Sequence, residues 1–395
     1  MLTPPLPELV EGASFPEPVE GPVVELAPMA GVTNAAYRQL CREQYEAGGG
    51  TNGLFVCEMI TSRGIVEGDR KTMSMLQFDP GEQVRSVQLY GVDPVTMADA
   101  TAILCERFGV KHVDLNFGCP VPKVTRKGGG AALPYKRDRL RMILEAVVGA
   151  ATPYGVPVTM KTRIGIDHAH HTYLDAGRIA EQSGCAAIAL HGRTAQQAYA
   201  GHADWTAIAK LKEHVAIRVL GNGDVWEAPD AVRMLAETRA DGVVVGRGCL
   251  GRPWLFRDLA DVFAGRERRV LPTLGEVADT IRRHAGLLAG LHADDPEGER
   301  RGLTDLRKHI AWYLKGFPVG GDTRRALAMV SSFADLEREL ARLDPSVPFP
   351  VGGLGSPRGR QGSPRTKVAL PEHWLDDTSG AALDLAGAEV GVSGG

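Results

Sequence analysis

No two cysteines in this chain of 395 residues are spaced for a structural disulfide or a zinc site. The six (Cys41, Cys57, Cys105, Cys119, Cys185 and Cys249) are scattered, with no Cys-x-x-Cys among them. That excludes a disulfide scaffold and fits a reducing compartment, so the cytoplasm is the expected location. No apolar run reaches the ~18–20 residues of a membrane span. The N-terminus is acidic and Pro-rich rather than basic and then apolar, so no secretory signal is expected. An excess of positive charge is missing too: 45 Lys and Arg stand against 48 Asp and Glu, for a net charge of −3. Any contact with nucleic acid must therefore rest on a local patch. Finally, the turn Gly-x-Gly-x-x-Gly is absent after the first apolar run, which continues Pro28-Met29-Ala30-Gly31-Val32-Thr33. This speaks against an open, doubly wound dinucleotide-binding sheet.

What the chain does have is apolar side chains enough for a large core, 44% of its residues. Continuous apolar runs at 23–27, 53–58, 84–89, 112–116, 156–161, 186–191, 217–221 and 242–246 read as strands buried on both faces. Helical patterns at 35–44, 94–108, 136–150, 172–182, 205–212 and 228–237 lie between most of them. Asp93-Pro94 and Asp204 before Trp205 supply N-terminal signals. Eight such units in about 240 residues are the count and length of an α/β TIM (β/α)8 barrel. After residue 271 the strand pattern stops, and helical patterns at 274–291, 299–315 and 323–343 predict a smaller all-helical domain. The expected organisation is a disordered leader (1–21), the barrel (22–271), the helical domain (272–345) and a mostly disordered tail (346–395). The leader repeats PELVEG and PEPVEG, and the tail repeats GSPR. In the tail only ALPEHWL (369–375) is apolar enough to dock.

A TIM barrel carries its active site at the C-terminal ends of its strands. Polar, cationic or glycine-rich residues follow nearly every apolar run: Pro28-Met29-Ala30-Gly31, Glu58, Gln88, Asn116 to Pro120, Lys161-Thr162-Arg163, His191 to Thr194, Asn222-Gly223-Asp224 and Gly246-Arg247-Gly248. The last two follow the seventh and eighth strands, where barrels frequently build phosphate sites from loop amides, and Arg247 adds a fork of donors. Lys161 ends a strand, so its ammonium needs an anionic partner. A reduced flavin would serve, with Gln88 on the ring's polar edge, and an ion pair with Glu58 is the structural alternative. Cys119 sits in a loop at a strand exit rather than inside a strand. A thiol with an ordinary pKa near 8.5 stays protonated at neutral pH and can act as a general acid. As a nucleophile it would need a base, and His191 is the histidine at hand. The sequence leaves both roles open. His168, His170 and His171 have no matching carboxylate–His pair, so no metal is expected. Lys123, Arg126 and Lys127 precede a glycine run just after Cys119, which reads as a mobile basic loop able to grip a polyanion.

These motifs resemble the tRNA-dihydrouridine synthase family, in its bacterial B-type branch. The resemblance rests on APMAGVTNAAYR, EMI, SVQLYG, VDLNFGCPVPKVTRKGGGAAL, KTRIG, ALHGRT, LGNGDV and VGRGCLGRPWLF, and covers roughly residues 22–345. It includes RKHIAWYLKGFP (307–318), similar to the family's tRNA-binding helical domain. The resemblance implies FMN as cofactor, NADPH as reductant and a uridine of the tRNA D-loop as substrate. Pro28, Met29, Ala30 and His191 would border the flavin, Gln88 and Lys161 would bond its ring, and Asn222, Gly223, Asp224, Gly246 and Arg247 would hold ribityl and phosphate. Cys119 is then the proton donor to C5, with hydride passing from flavin N5 to C6. Asn116, Arg126 and Lys127 would touch the substrate. Residues 300–325 carry seven Lys and Arg against two acids, a local basic patch. A monomer without metal or membrane contact is expected. The competing readings are an FMN barrel reducing a free small molecule and a non-catalytic tRNA-binding protein.

Overall fold

The computed structural model describes residues 21–359 and 361–380. The leader through residue 20 and the end of the tail from 381 lie outside the described residues. Eight strands close into one parallel barrel: Val23–Leu26 (β1), Gly53–Thr61 (β2), Ser86–Tyr90 (β3), His112–Phe117 (β4), Val158–Arg163 (β5), Ala187–His191 (β6), Arg218–Asn222 (β7) and Gly242–Val245 (β8). β8 pairs back onto β1, with Val24 opposite Val243 and Leu26 opposite Val245. The helices Ala35–Ala47, Pro94–Phe108, Arg137–Ala151, Tyr173–Gln182, Trp205–His214, Ala228–Thr238 and Leu255–Phe263 cover the outside. Asp93 caps one of them by accepting from Thr96 N at 2.8 Å, with Pro94 at its first position. The TIM barrel expected from the sequence is present, followed by helices.

One feature of the strands departs from the expected continuous apolar runs. On β3, β4 and β5 polar residues recur at every second position: Ser86, Gln88; His112, Asp114, Asn116; Thr159, Lys161, Arg163. The strand period of two sends this set to the barrel interior and the residues between, apolar except Thr162, outward to the helices. Val23, Ala27, Leu54, Val56, Ala189, Leu220 and Val244 fill the other part of the interior with an apolar cluster. The interior is therefore polar along β3–β5 and mainly apolar elsewhere, with the buried Glu25 of β1 the exception.

Beyond the barrel, Leu274–Gly290 and Gly298–Tyr313 pack around Leu274, Val277, Ile281, Leu303, Leu306 and Ile310. Thr273 and Glu276 form a reciprocal capping box at the first of these. The single helix expected over 323–343 is instead two, Gly321–Leu327 and Phe333–Leu340. The first ends at Leu327, and Ser332 starts the second by accepting from Asp335 N at 3.1 Å.

Two polar clusters join barrel and helices. Glu227 accepts from both Nη1 and Nη2 of Arg252 at 2.7 and 2.8 Å, from Arg269, and from Gly355 N at 2.8 Å. Four segments meet on one carboxylate. In the second cluster Tyr37, His284 and His309 stack with ring centroids 4.6–5.5 Å apart. Tyr313 Oη lies 3.1 Å from His284 Nδ1, and both ring nitrogens of His309 lack a partner. Burial lowers His284 to about 3, with Lys308 adding, and burial, His284 and Lys308 hold His309 well below its ordinary range. Both rings are neutral when folded at neutral pH and protonate when unfolded near pH 6.5. Their contribution is therefore complete above pH 6.5 and is lost as pH falls below it, at roughly 1.4 kcal/mol per pH unit for each ring. The thermal midpoint should drop between pH 7 and pH 5, and a His284→Gln/His309→Gln variant should show a shallower drop. Equal slopes for variant and wild type would show that these rings do not govern it.

Candidate active site

A cavity of about 600 Å³ opens at the C-terminal ends of the strands. Of the residues expected at a site, Pro28, Met29, Ala30, Gln88, Asn116, Cys119, Lys161, His191, Asn222, Gly223, Asp224, Gly246 and Arg247 all line it. Arg126 and Lys127 do not. They follow a single helical turn, Pro122–Thr125, whose Val124 is buried against Met59 and Tyr90, and Arg126 is exposed to solvent. The expected mobile loop is here a folded segment. Gly130 adopts φ +54°, and a Cβ there would stand 2.5 Å from the Cys119 carbonyl oxygen, so no larger residue fits.

The polar side of the barrel forms a continuous chain of hydrogen bonds. Thr159 donates to Asp114 Oδ1 at 2.7 Å, so His112 Nε2 must donate to Thr159 (3.0 Å) and His112 Nδ1 accepts from Ser86 (2.7 Å). Burial lowers His112 to about 3, consistent with this neutral tautomer. Gln88 Nε2 donates to Asp114 Oδ2 and Asn116 Nδ2 donates to Gln88 Oε1, both at 2.7 Å. Asn116 Oδ1 accepts from the backbone N–H groups of Gly118 (3.2 Å) and Cys119 (2.9 Å). The chain thus fixes both amides and the backbone that carries Cys119, leaving each NH2 one N–H to offer a ligand.

Lys161 lies among this set, and burial lowers its ammonium to about 8. The acids it faces are Glu25 and Asp114. Glu58, the partner weighed from the sequence, instead accepts from Gly31 N at 2.5 Å and faces Lys308 and Arg38. Burial and the neighbouring Asp114 push the Glu25 carboxyl well up, and its Oε1 has no partner. Lys161 thus lies beside a Glu25 carboxyl pushed up by burial and an Asp114 whose two oxygens already accept from Thr159 and Gln88, and its ammonium can take an anion from the cavity.

The Cys119 thiol is raised by burial, against the opposing pull of the Val121 N–H, Arg163 and Arg365. It stays protonated at neutral pH. Burial and the cations Arg163, Lys161, Arg193 and Arg247 hold His191 far below its ordinary range, and its Nε2 lies 3.4 Å from Arg193 Nη1. Nothing here gives Cys119 a base, so the arrangement favours a thiol that donates a proton over a thiolate nucleophile.

At the other end of the cavity, Gly223 has φ +121°, and a Cβ there would meet Ala203 at 2.6 Å. Asp224 accepts two bonds from Arg193 Nη2 at 2.8 Å and one from Ala203 N at 2.7 Å, and Arg247 is 3.8 Å away. Its carboxylate is thus occupied in orienting arginines. The Arg247 guanidinium sits between the rings of Tyr199 (4.5 Å) and Trp226 (4.9 Å). Arg163 donates to the carbonyls of Gly118, Thr194 and Ala198 and so ties the Cys119 loop to the loop after β6.

Sequence reasoning missed Glu25 and Asp114, along with Tyr199 and Trp226, and placed Arg163 and Arg193 at the strand ends without giving them a role. The alternation on β3–β5 was the available signal for Asp114. It also missed Trp312 and the tail residues Gln361, Gly362, Ser363 and Arg365, which line the same cavity. In the basic patch, Arg300 and Arg301 pair with Glu297 (2.8 Å) and Asp295 (2.9 Å), acids just outside the counted stretch. Arg324 is spent on the carbonyls of Val319 and Leu314. Among the described residues no group of three or more His, Cys, Asp or Glu could hold a metal ion, and no helix is long and apolar enough to cross a membrane.

The family model described as "Dihydrouridine synthase (Dus)" matches residues 25–345. A protein of Mycobacterium tuberculosis named "Probable tRNA-dihydrouridine synthase" is 55% identical over 96% of this chain and 96% of its own length. One of Mycobacterium leprae with the same name is 51% identical over 94% of this chain and all of its own. The "tRNA-dihydrouridine synthase B" of Pseudomonas syringae is 38% identical over 80% of this chain and 89% of its own.

Proposed function

The chain belongs to the dihydrouridine synthase family, and from that premise we propose that it is a flavin-dependent oxidoreductase reducing the C5=C6 bond of uridine in the D-loop of tRNA, with FMN as cofactor and NADPH as reductant. The observation that carries this reading is the position of the Cys119 thiol, raised by burial, on the wall of the cavity that also holds Lys161 and the glycine turns.

The residues present fit FMN. Lys161 offers a buried ammonium to the anionic edge of a reduced ring, and Gln88 keeps one N–H for it. Asn222, Gly223, Gly246 and Arg247 are suited to ribityl and phosphate, with Asp224 acting on Arg193 and Arg247 rather than on the anion. Pro28, Met29, Ala30 and His191 complete the border. When bound, FMN supplies the hydride that this reading assigns to C6 of the uracil. Cys119 holds the proton that goes to C5, and the remaining N–H of Asn116 is free for a uracil carbonyl. The base must leave its stack to enter, at a few kcal/mol of unstacking, which contacts to the tRNA elsewhere must offset. Arg126, Lys127 and the helical domain at 272–345 are assigned to that task, and residues 22–271 to the flavin. Trp312 brings the helix Gly298–Tyr313 to the rim of the cavity, which supports the division.

Purified protein should be yellow. It should form dihydrouridine in unmodified tRNA at the expense of NADPH, and leave free uridine untouched. A folded but colourless protein would overturn the flavin assignment. Equal turnover of free uridine would favour the small-molecule reductase instead.

Lys161→Ala should release the flavin on dialysis. In the ligand-free wild type the ammonium loses its charge as pH rises through about 8. Flavin affinity should therefore fall between pH 7 and pH 9 in wild type and stay flat in the variant. A parallel fall in both would remove Lys161 from the ring site.

A further inference from the structure

The segment after residue 353 crosses the mouth of the cavity and is anchored on both sides. On one side Arg358, 5% exposed, donates to the carbonyls of Leu250 (3.1 Å) and Trp312 (2.9 Å), and Lys315 donates to Pro357 O. On the other, Trp374 is buried against Gly128, and its Nε1 donates to Ala132 O at 3.1 Å. Tyr135 donates to Leu375 O at 3.0 Å, close by. Both of these anchors on the far side belong to the chain that follows Cys119. Between the two sides Gln361, Gly362, Ser363 and Arg365 line the cavity. Arg365 N donates to Gln196 O at 2.9 Å, and its guanidinium donates to Pro120 O, one residue from Cys119.

Among the described residues Arg365, half-buried, has no carboxylate partner, a lack it shares with Arg163 and Arg358, which are committed to backbone carbonyls, but not with several other buried arginines. Arg38 has Glu82, Arg193 has Asp224 and Arg252 has Glu227, each within 3 Å. Of the five N–H donors of Arg365, the bond to Pro120 uses one. The whole stretch 345–371 contains Arg358, Arg360, Arg365 and Lys367 and not one Asp or Glu. A cationic fork without a counter-ion, held at the entrance to a cavity, is a place for an anion with several acceptor oxygens.

We propose that this segment is a strap that adds a phosphodiester subsite to the mouth, with Arg365 binding a backbone phosphate of the nucleic acid beside the nucleotide presented to Cys119. The inference rests on the proposed tRNA reading and deepens it by naming a substrate-binding residue outside both the barrel and the helical domain. The strap would bring the phosphate to the loop that carries the thiol, so binding and positioning of the nucleotide are coupled through Pro120.

The test uses full-length protein. Arg365→Gln keeps a donor for Pro120 O but removes the charge, and Arg365→Lys keeps the charge. The Gln variant should raise KM for tRNA about 10-fold or more, as for a lost charge-assisted hydrogen bond of roughly 1.5–3 kcal/mol. It should also reduce the slope of log affinity against log salt by roughly 0.7–0.9. The Lys variant should stay within a few-fold of wild type. Ser363→Glu, at an exposed position of the same strap, should weaken tRNA binding in the same way and decides the matter if Arg365→Gln does not fold. Flavin content and the rate of flavin reduction by NADPH should be unchanged in all three. An unchanged KM and salt slope in the Gln variant would overturn the subsite. So would a raised KM for NADPH with tRNA unaffected, since the phosphate would then be the reductant's. A wild type that forms no dihydrouridine would defeat the proposed function itself, whereas active variants indistinguishable from wild type defeat only the strap.

Discussion

Cys119→Ala is expected to lower dihydrouridine formation in tRNA by roughly 10²–10⁴-fold, the range for losing a positioned general acid, while flavin content and reduction by NADPH stay as in wild type. The separation follows from where the thiol is held. Its backbone N–H is fixed by Asn116 and its carbonyl by Ala131 N at 3.0 Å, so removing Sγ leaves the loop intact. The residues proposed to hold the cofactor, on β5 and β7 and just after β8, lie on other segments of the chain. Burial keeps the thiol protonated through neutral pH, and the rate should fall at alkaline pH as that proton is lost, while Cys119→Ser should be slow at every pH because a hydroxyl is a far weaker acid. Rapid-mixing measurement of the two half-reactions would resolve the matter. A variant whose tRNA-dependent flavin reoxidation matched wild type would remove Cys119 from the chemistry.

Glu227→Ala should be the most damaging single change to stability, at about 3 kcal/mol or more, the usual consequence of stripping a buried arginine of its carboxylate. Arg252, 2% exposed, would lose its paired carboxylate, with only Asp258 left facing it, and its Nη1 and Nη2 would each lose a short bond. Arg269, in the link to the helical domain, and Gly355 N, at the start of the strap, would be released together. The pair also predicts a pH profile. Arg252 and its neighbours hold the Glu227 carboxyl down at about 2, below its ordinary 4.5. The stabilisation is thus complete above pH 4.5 and is lost as pH falls toward 2. Chemical denaturation of wild type and variant at pH 7 and pH 3.5 should show the gap narrowing at the lower pH. A gap that is small at pH 7 would mean that the helical part docks without this carboxylate.

Much of the barrel is legible in the sequence. The eight strands lie within a few residues of the apolar runs, because a strand buried on both faces needs local hydrophobicity and length, and both are local properties. The residues at the strand ends converge on one cavity because parallel strands in a closed barrel all point their C-termini to the same rim. The helix expected over 323–343 stops at Leu327 and restarts at Phe333 behind the Ser332 cap, while Val330 between them is buried in the helical core, a placement that tertiary packing sets. Glu58 was weighed as the partner of Lys161 although Glu25 and Asp114 face it, because a strand residue's neighbours across the barrel are set by register and closure.

The sequence by itself determined the architecture, the order of the elements and the identity of the thiol, the lysine and the glycine turns, since each is written in a local period or a short motif. Only the tertiary structure decided that Ser86, His112, Thr159, Asp114, Gln88 and Asn116 form one hydrogen-bonded chain ending at Cys119. It alone decided that a tail of Gly, Ser, Pro and Arg lies across the mouth. Both outcomes depend on contacts between residues far apart along the chain, up to 245 positions in the case of Pro120 and Arg365. A hydrogen bond forms where donor and acceptor are brought within about 3 Å, and no local pattern records that meeting.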